Sequence, residues 1–349
     1  MISEIKQAVI LAGGMGTRLK PITDTLPKPM IPMNGKPFLE HLVKMLKEEG
    51  ITEIVLLLGY LPQKVQEYFG DGSNFGLKIK YSVGDVSFET GKRLKDAEEQ
   101  INQNFLLLYC DNYWPLNLEK LLAYHNARDV QATVTLYTNK DNFSKSNMRL
   151  DDRGYVTFYD KTRQEKALSG VEIGFYILSK GTFGLMPETN FSFEKEILPK
   201  LIERRQLAGY PTDHRYYSIG SLERLPVTED FLKPRKVVFL DRDGVINKKA
   251  PKADYIKTWK EFEFLPDAAE AMKKLTSSGY EMYIISNQAG IARQMMTEKD
   301  LADVHQNMVR VLEQNGTGIK KIYYCPHGWD DGCECRKPKP GMFYQAGRE

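Results

Sequence analysis

A chain of 349 residues is longer than one hydrophobic core ordinarily serves, so two domains are expected. Its 27% charged and 42% hydrophobic residues are those of a globular protein, and a net charge of +3 with no basic run argues against nucleic acid as a partner. No apolar run approaches the roughly 20 residues of a membrane span, and the N-terminus lacks a signal peptide's apolar stretch, so a cytoplasmic protein without a membrane partner is expected.

Ala8-Val9-Ile10-Leu11 reads as a buried first strand that empties into Gly13-Gly14-Met15-Gly16-Thr17-Arg18. Glycines directly after a strand let the backbone turn sharply and approach a ligand closely. Their successive N–H groups form a nest for phosphate oxygens, to which Arg18 and Lys28 add fixed positive charge. The dinucleotide fingerprint wants a third Gly where Leu19 stands, and a Walker loop wants a Gly-Lys-Ser/Thr that is absent. On spacing alone, a glycine-rich turn with two solvated cations would look the same.

Beyond the loop, helical spacing over 38–49 stops at Gly50. Strands are predicted over 53–58, 78–83, 105–109, 131–137 and 172–178, and helices over 62–69, 92–101 and 118–127. Residues 148–160 read as a hairpin turning at Asp152-Arg153-Gly154. Such alternation predicts a largely parallel sheet with helices on its faces. The strand at 105–109 runs into Cys110-Asp111, which puts Asp111 at the C-terminal sheet edge where open α/β sheets bind ligands. Asp111 is a candidate Mg²⁺ ligand, and equally a turn residue capping the next helix.

The pattern lapses over 223–236 and restarts at Val237, which predicts domains at 1–232 and 233–349. The second has helices over 266–278 and 298–313 and strands over 237–240, 281–285 and 322–324. Just past its first strand, Asp241 and Asp243 stand two apart, a spacing at which one carboxylate can be a nucleophile and the other a general acid and base. Cys325, His327, Cys333 and Cys335 offer three thiolates and an imidazole, the set of a closed structural Zn²⁺ site. Cys110 stands alone and reads as a small packed group.

The run Gly13-Gly14-Met15-Gly16-Thr17-Arg18-Leu19, followed by Pro27-Lys28-Pro29, resembles the signature of the sugar-1-phosphate nucleotidyltransferases. The resemblance implies a Rossmann-like α/β domain with a mixed, mostly parallel sheet. It implies a nucleoside triphosphate over Leu11, Ala12, Gly13, Gly14, Gly16 and Thr17, with Arg18 and Lys28 on the phosphates and Mg²⁺ at Asp111. Lys161 matches the lysine that contacts the sugar phosphate, and Glu172 lies on the sugar-contacting strand. A sugar-phosphate oxygen would attack the α-phosphorus and release pyrophosphate. Two residues depart from the pattern. Ser218 stands where a second metal-binding Asp is usual, with Asp213 as a nearby substitute, and Cys110 replaces a customary Gly.

Residues 237–246 resemble motif I of the haloacid dehalogenase-type phosphatases, which implies a second α/β domain with Mg²⁺ at Asp241 and Asp243. Ser286 matches the hydroxyl that binds the phosphoryl group, and Lys337 the phosphate-stabilising lysine, with Asn287 and Arg336 as sugar-phosphate contacts. The runs N-Q-A-G-I-A-R and C-R-K-P-K-P-G-M most resemble the heptose 1,7-bisphosphate and histidinol phosphatases, which carry a similar Cys-His-Cys-Cys loop. The acidic pair of their fourth motif is not found before Glu349, and weak or no phosphatase activity is expected on that ground. Together the two blocks resemble a fused nucleotidyltransferase and phosphatase of heptose-nucleotide synthesis, acting on a heptose 1-phosphate with GTP. Another hexose 1-phosphate with another base, or a degenerate pair that binds sugar phosphates, are the alternatives. The base-selecting stretch 60–90 carries no diagnostic match, and oligomeric state is not legible.

Overall fold

Continuous apolar runs, rather than alternating ones, suit strands covered by helices on both faces. In the computed structural model, which describes residues 2, 4–165 and 168–347, such runs build the centre of the first unit. Its strands are β1 (Gln7–Ala12), β2 (Glu53–Leu58), β3 (Lys78–Val83), β4 (Asn104–Tyr109), β5 (Ala132–Tyr137), β6 (Val171–Ser179) and β7 (Leu207–Thr212). They lie in the order β7-β5-β6-β4-β1-β2-β3. Every pairing is parallel except the two made by β6, which is antiparallel to β4 and β5. The mixed, mostly parallel sheet is therefore the one expected.

The helices are α1 (Phe38–Glu48), α2 (Pro62–Phe69), α3 (Thr90–Asp96), α4 (Leu118–Asn126), α5 (Leu198–Glu203) and α6 (Leu225–Leu232). Because strand side chains alternate, β1 sends Ala8, Ile10 and Ala12 into one core, with Leu39, Leu42 and Leu46 of α1. Val9 and Leu11 enter the other, with Leu94 of α3 and Leu198 and Leu201 of α5. The central strand is thus buried on both sides, and its C-terminal end is held rigidly in place.

Two local expectations fail, and one strand stands where none was expected. The helix predicted over 92–101 is α3 followed by a 3₁₀ turn, Glu98–Gln100, which tightens the end of the helix. Strand β7 carries Gly209 and Pro211, which hide a strand in sequence but are tolerated at a sheet edge. The segment read as a lapse at 223–236 contains α6, whose contacts are tertiary. Its Thr228 donates to Ser218 O at 2.8 Å, Phe231 stacks on Tyr217 at 3.6 Å, and Glu229 receives Asn34 N at 3.1 Å.

The chain divides into Met1–Lys233 and Pro234–Glu349. In the second unit β8 (Lys236–Leu240), β9 (Tyr280–Asn287) and β10 (Ile319–Cys325) pair in parallel in that order. Helices α7 (Ala268–Ser277), α8 (Glu298–Gln314) and α9 (Gly341–Ala346) accompany them. A capping box between Thr297 and Asp300 starts α8, which packs Val304, Met308 and Leu312 against Met282 and Ile284. Among the described residues no helix is long and apolar enough to cross a membrane.

Thr228 is buried, and its hydroxyl serves the Ser218 carbonyl. Thr228→Val keeps the shape and leaves that carbonyl unpaired, so urea unfolding is expected to show a loss of about 1–3 kcal/mol. A midpoint equal to wild type would show that the bond contributes nothing.

Candidate functional site

At the end of β1 the chain loses its side chains, and the main chain itself becomes the wall of a cleft. Gly16 turns with φ +64°, and Thr23 donates to its carbonyl at 3.0 Å. Arg18 follows in a short 3₁₀ turn pinned by fully buried Leu19. Leu11, Gly13, Gly14, Gly16 and Thr17 line a chamber of about 380 Å³ with Lys28 and Arg93. Ala12 is buried in the core behind them and does not line it.

A second chamber of about 670 Å³ is lined by Lys161, Arg163, Glu172, Ser218 and Arg224. The two share Arg18, Tyr109, Asp111, Lys161 and Glu194. Residues far apart in sequence therefore meet where the chambers join. Four cations, Arg18, Lys161, Arg163 and Arg224, make the larger chamber fit for a phosphate despite its acids.

Asp111 lies just past β4, and Lys28 Nζ meets its Oδ2 at 2.5 Å. Its main-chain carbonyl accepts from Ile219 N at 2.9 Å, and the next residue, Asn112, pairs with Ser218. Ser218 therefore stands beside Asp111 with a hydroxyl that already accepts from Gly220 N at 3.0 Å. The donor set is one carboxylate and one neutral hydroxyl, which fits a Mg²⁺ whose remaining ligands are phosphate oxygens and water. Asp213 does not line the cleft. It is held outside by Thr138 and by Lys140 at 2.9 Å. Burial, with Asp111 beside it, pushes the Cys110 thiol up to about 12, which makes it a packed group.

Glu194 was invisible in the sequence. It is nearly buried in the irregular helical turn Phe193–Ile197 and accepts from Tyr109 and Ser192, and from Thr90 at 2.8 Å. Lys161 Nζ stands 3.7 Å from it. Burial works against its ionisation, but the bonds from Ser192 and Tyr109 and the Lys161 charge hold the carboxyl below its usual range. Burial, then the charge of Glu194, push neighbouring Glu172 up to about 7. Asp160 turns away from the cleft, capping Thr162 N at 2.7 Å and Gln164 N at 2.8 Å, and so shapes the loop that carries Lys161 and Arg163. Acids inside apolar runs, as in Phe191-Ser192-Phe193-Glu194, are the one signal that would have pointed to Glu194.

In the second unit, Lys337 Nζ bridges Asp241 Oδ1 at 2.8 Å and Ile285 O at 2.9 Å, joining the ends of β8 and β9. Asp243 accepts from Arg242 through Nη2 at 2.9 Å, from Asn247 at 3.0 Å and from Gln288 at 2.8 Å. Burial opposes its charge, but Arg242, Asn247 and Gln288 hold its carboxyl below the usual range, the opposite of a proton donor's setting. Arg242 is fully buried and also reaches His305 Nε2 at 3.2 Å. Ser286 Oγ accepts from Gln288 at 2.8 Å. Asn287 exchanges two hydrogen bonds with the Lys337 main chain, and Arg336 donates to His327 O at 3.3 Å, so both brace the loop. The ligand atoms of Cys325, His327, Cys333 and Cys335 lie within 4.8 Å of one another, a spacing that suits one tetrahedral metal ion.

The raised pKa of Glu172 has a signed consequence. In the folded chain it keeps its proton up to about 7, against an ordinary 4.5, so it opposes folding increasingly as pH rises through that window. Thermal denaturation is expected to show Glu172→Gln more stable than wild type near pH 8 and equal to it near pH 4 (about one unit to either side). A gap that narrows as pH rises would contradict this.

Residues 7–233 match the nucleotidyl transferase family, and residues 236–349 match the polynucleotide kinase 3 phosphatase family. A probable glucose-1-phosphate cytidylyltransferase of Bacillus subtilis is 34% identical over 58% of this chain and 87% of its own length. The D-glycero-alpha-D-manno-heptose 1-phosphate guanylyltransferase of Campylobacter jejuni is 34% identical over 61% of this chain and 94% of its own. The D-glycero-beta-D-manno-heptose-1,7-bisphosphate 7-phosphatase of Pseudomonas aeruginosa is 43% identical over 32% of this chain, which spans 62% of that phosphatase. With its glycine loop, its joined chambers and these relatives, the chain belongs to the nucleotidyl transferase family, as a sugar-1-phosphate nucleotidyltransferase fused to a phosphatase-like domain of the haloacid dehalogenase type.

Proposed function

We propose that residues 1–232 transfer a guanylyl group from GTP to D-glycero-α-D-manno-heptose 1-phosphate, and that residues 233–349 form a phosphatase domain for the heptose 1,7-bisphosphate that precedes it. The observation that carries the reading is the meeting of the two chambers at Arg18, Asp111 and Lys161. The glycine loop cradles the triphosphate, and Arg18 and Lys28 take charge from its phosphates. Lys161 and Arg163 hold the sugar phosphate so that one of its oxygens faces the α-phosphorus. That oxygen forms the new P–O bond as pyrophosphate leaves, and alignment with charge neutralisation is all the step requires. Mg²⁺, held by Asp111 and phosphate oxygens, would neutralise further charge on the phosphates.

In the second domain Asp241 is the proposed nucleophile, with Ser286 and Lys337 on the phosphoryl group and Mg²⁺ at the two aspartates. Asp243, held as a carboxylate by Arg242, suits a charge-bearing role better than proton donation. Removing the 7-phosphate leaves a sugar 1-phosphate, the class of substrate the first domain takes. A cytoplasmic setting, where both sugar phosphates and nucleotides are found, suits these substrates. The cytidylyltransferase relative favours a second reading, with CTP and a hexose 1-phosphate.

A matrix of four triphosphates against several sugar 1-phosphates, read by pyrophosphate release, separates the two, and silence in every well would reject both. In the productive well, Arg18→Ala and Asp111→Asn are each expected to lower kcat/KM by about 100-fold or more. Unchanged turnover in either would reject its assigned role.

Elemental analysis is expected to find about one Zn²⁺ per chain, lost in the double variant Cys333→Ser/Cys335→Ser. Zinc retained at wild-type level in that variant would reject the ligand set.

A further inference from the structure

The smaller chamber is floored by a side chain that no motif includes. Arg93 of α3 is 5% exposed, and its guanidinium lies against the main chain of two glycines. A Cβ on Gly13 would stand 2.4 Å from Arg93 Cζ, and a Cβ on Gly59 would stand 2.6 Å from Nη1 and Nη2. Side chains do not pack so closely, so the missing side chains of Gly13 and Gly59 are the space that Arg93 fills. From there Nη1 donates to Leu58 O at 2.8 Å, and Nη2 donates to Asp85 O at 2.8 Å and Val86 O at 3.2 Å. One side chain ties together the turn after β1, the end of β2 and the loop after β3. Tyr60 N, donating to Gly13 O at 3.2 Å, and Gly84 N, donating to Leu58 O at 3.1 Å, close the same three segments on each other.

The charge on Arg93 is met by dipoles. All three of its hydrogen bonds end on neutral carbonyls. Asp85, the acid whose field reaches it, turns its carboxylate to Ser87 instead, accepting from the amide at 2.8 Å and the hydroxyl at 2.6 Å. A buried cation without a countercharge costs free energy, and this one borders a chamber wide enough for a ligand. An anion in that chamber supplies what the protein withholds.

We propose that Arg93 is a positioning residue for the nucleoside triphosphate, setting the height of the glycine loop and lending its chamber positive potential. This rests on the nucleotidyltransferase reading of the first unit. Arg93 acts on the bound nucleotide in ground state and transition state alike, so its loss raises KM for nucleotide and spares kcat. The sugar phosphate sits in the larger chamber, which Arg93 does not line.

The test is steady-state pyrophosphate release by the full chain and its Arg93→Lys and Arg93→Ala variants. GTP, or CTP if wild type prefers it, and D-glycero-α-D-manno-heptose 1-phosphate are varied in turn. KM for the triphosphate is expected to rise about tenfold or more in Arg93→Ala, with kcat and KM for the sugar phosphate within about threefold of wild type. Arg93→Lys is expected to fall between, because it keeps the charge and loses the fork that reaches three carbonyls. An unchanged KM for the triphosphate in folded Arg93→Ala overturns the inference. So does a fall in kcat that merely tracks loss of folded protein by circular dichroism. Should Arg93→Ala not fold, the same split in Arg93→Lys decides. A wild-type chain that releases no pyrophosphate with any triphosphate overturns the reading beneath, and the inference with it.

Discussion

The contact on which the first site turns is the 2.5 Å pair between Lys28 and Asp111. It joins the segment after the glycine loop to the end of β4, so two neighbouring strands of the sheet hold its two halves at a fixed separation. Both groups are largely shielded from solvent, where an ion pair is screened less than on the surface. On the proposed reading each partner has a second task, the ammonium for phosphate and the carboxylate for Mg²⁺. Substrate and metal together offer each of them a partner of higher charge, so the pair neutralises its own two charges without closing the cleft.

Two buried arginines show how the same group serves different ends. Arg242 is fully buried, and its charge is balanced by the carboxylate of Asp243 next to it in sequence. His305 on the far side is driven down to about 3 by burial and by Arg242, and so remains a neutral acceptor. That network is closed upon itself and leaves Asp243 a fixed anion. Arg93 meets only carbonyls and borders an open chamber, so its field extends into the space where a nucleotide would lie. The acids of the larger chamber divide in a similar way. Glu194 is saturated with donors and ionised, while Glu172 beside it keeps its proton to about 7. Two adjacent carboxyls in a buried wall thereby carry close to one charge rather than two at pH values below about 7.

The parts of the site that were legible are those written in contiguous sequence. The glycine loop, Arg18, Lys28 and Asp111 follow apolar runs that can only be buried strands, and a strand's end is where its next residue meets a ligand. Asp241, Asp243 and the Cys-His-Cys-Cys set were legible for the same reason, since spacing along one loop limits distance in space. Arg163, Arg224 and Glu194 were not. Each belongs to a different segment, and only the folding of the hairpin and the turn at Phe193–Ile197 against the sheet brings them to one cleft. Helix α6 was missed because its stabilising partners, Ser218, Tyr217 and Asn34, come from elsewhere in the chain.

By itself the sequence determined the fold class, the two-part organisation and which residues stand at the ends of the buried strands, because buried strands and glycine turns are local demands of apolar burial and backbone sterics. Only the tertiary structure decided which charges compensate one another. It assigned Lys28 to Asp111, Arg242 to Asp243 and Lys161 to Glu194, placed Asp213 outside the cleft, and left Arg93 with carbonyls alone. Electrostatic energy depends on distance through space and on how far each group is withdrawn from water, and neither quantity is written in the order of residues along a chain.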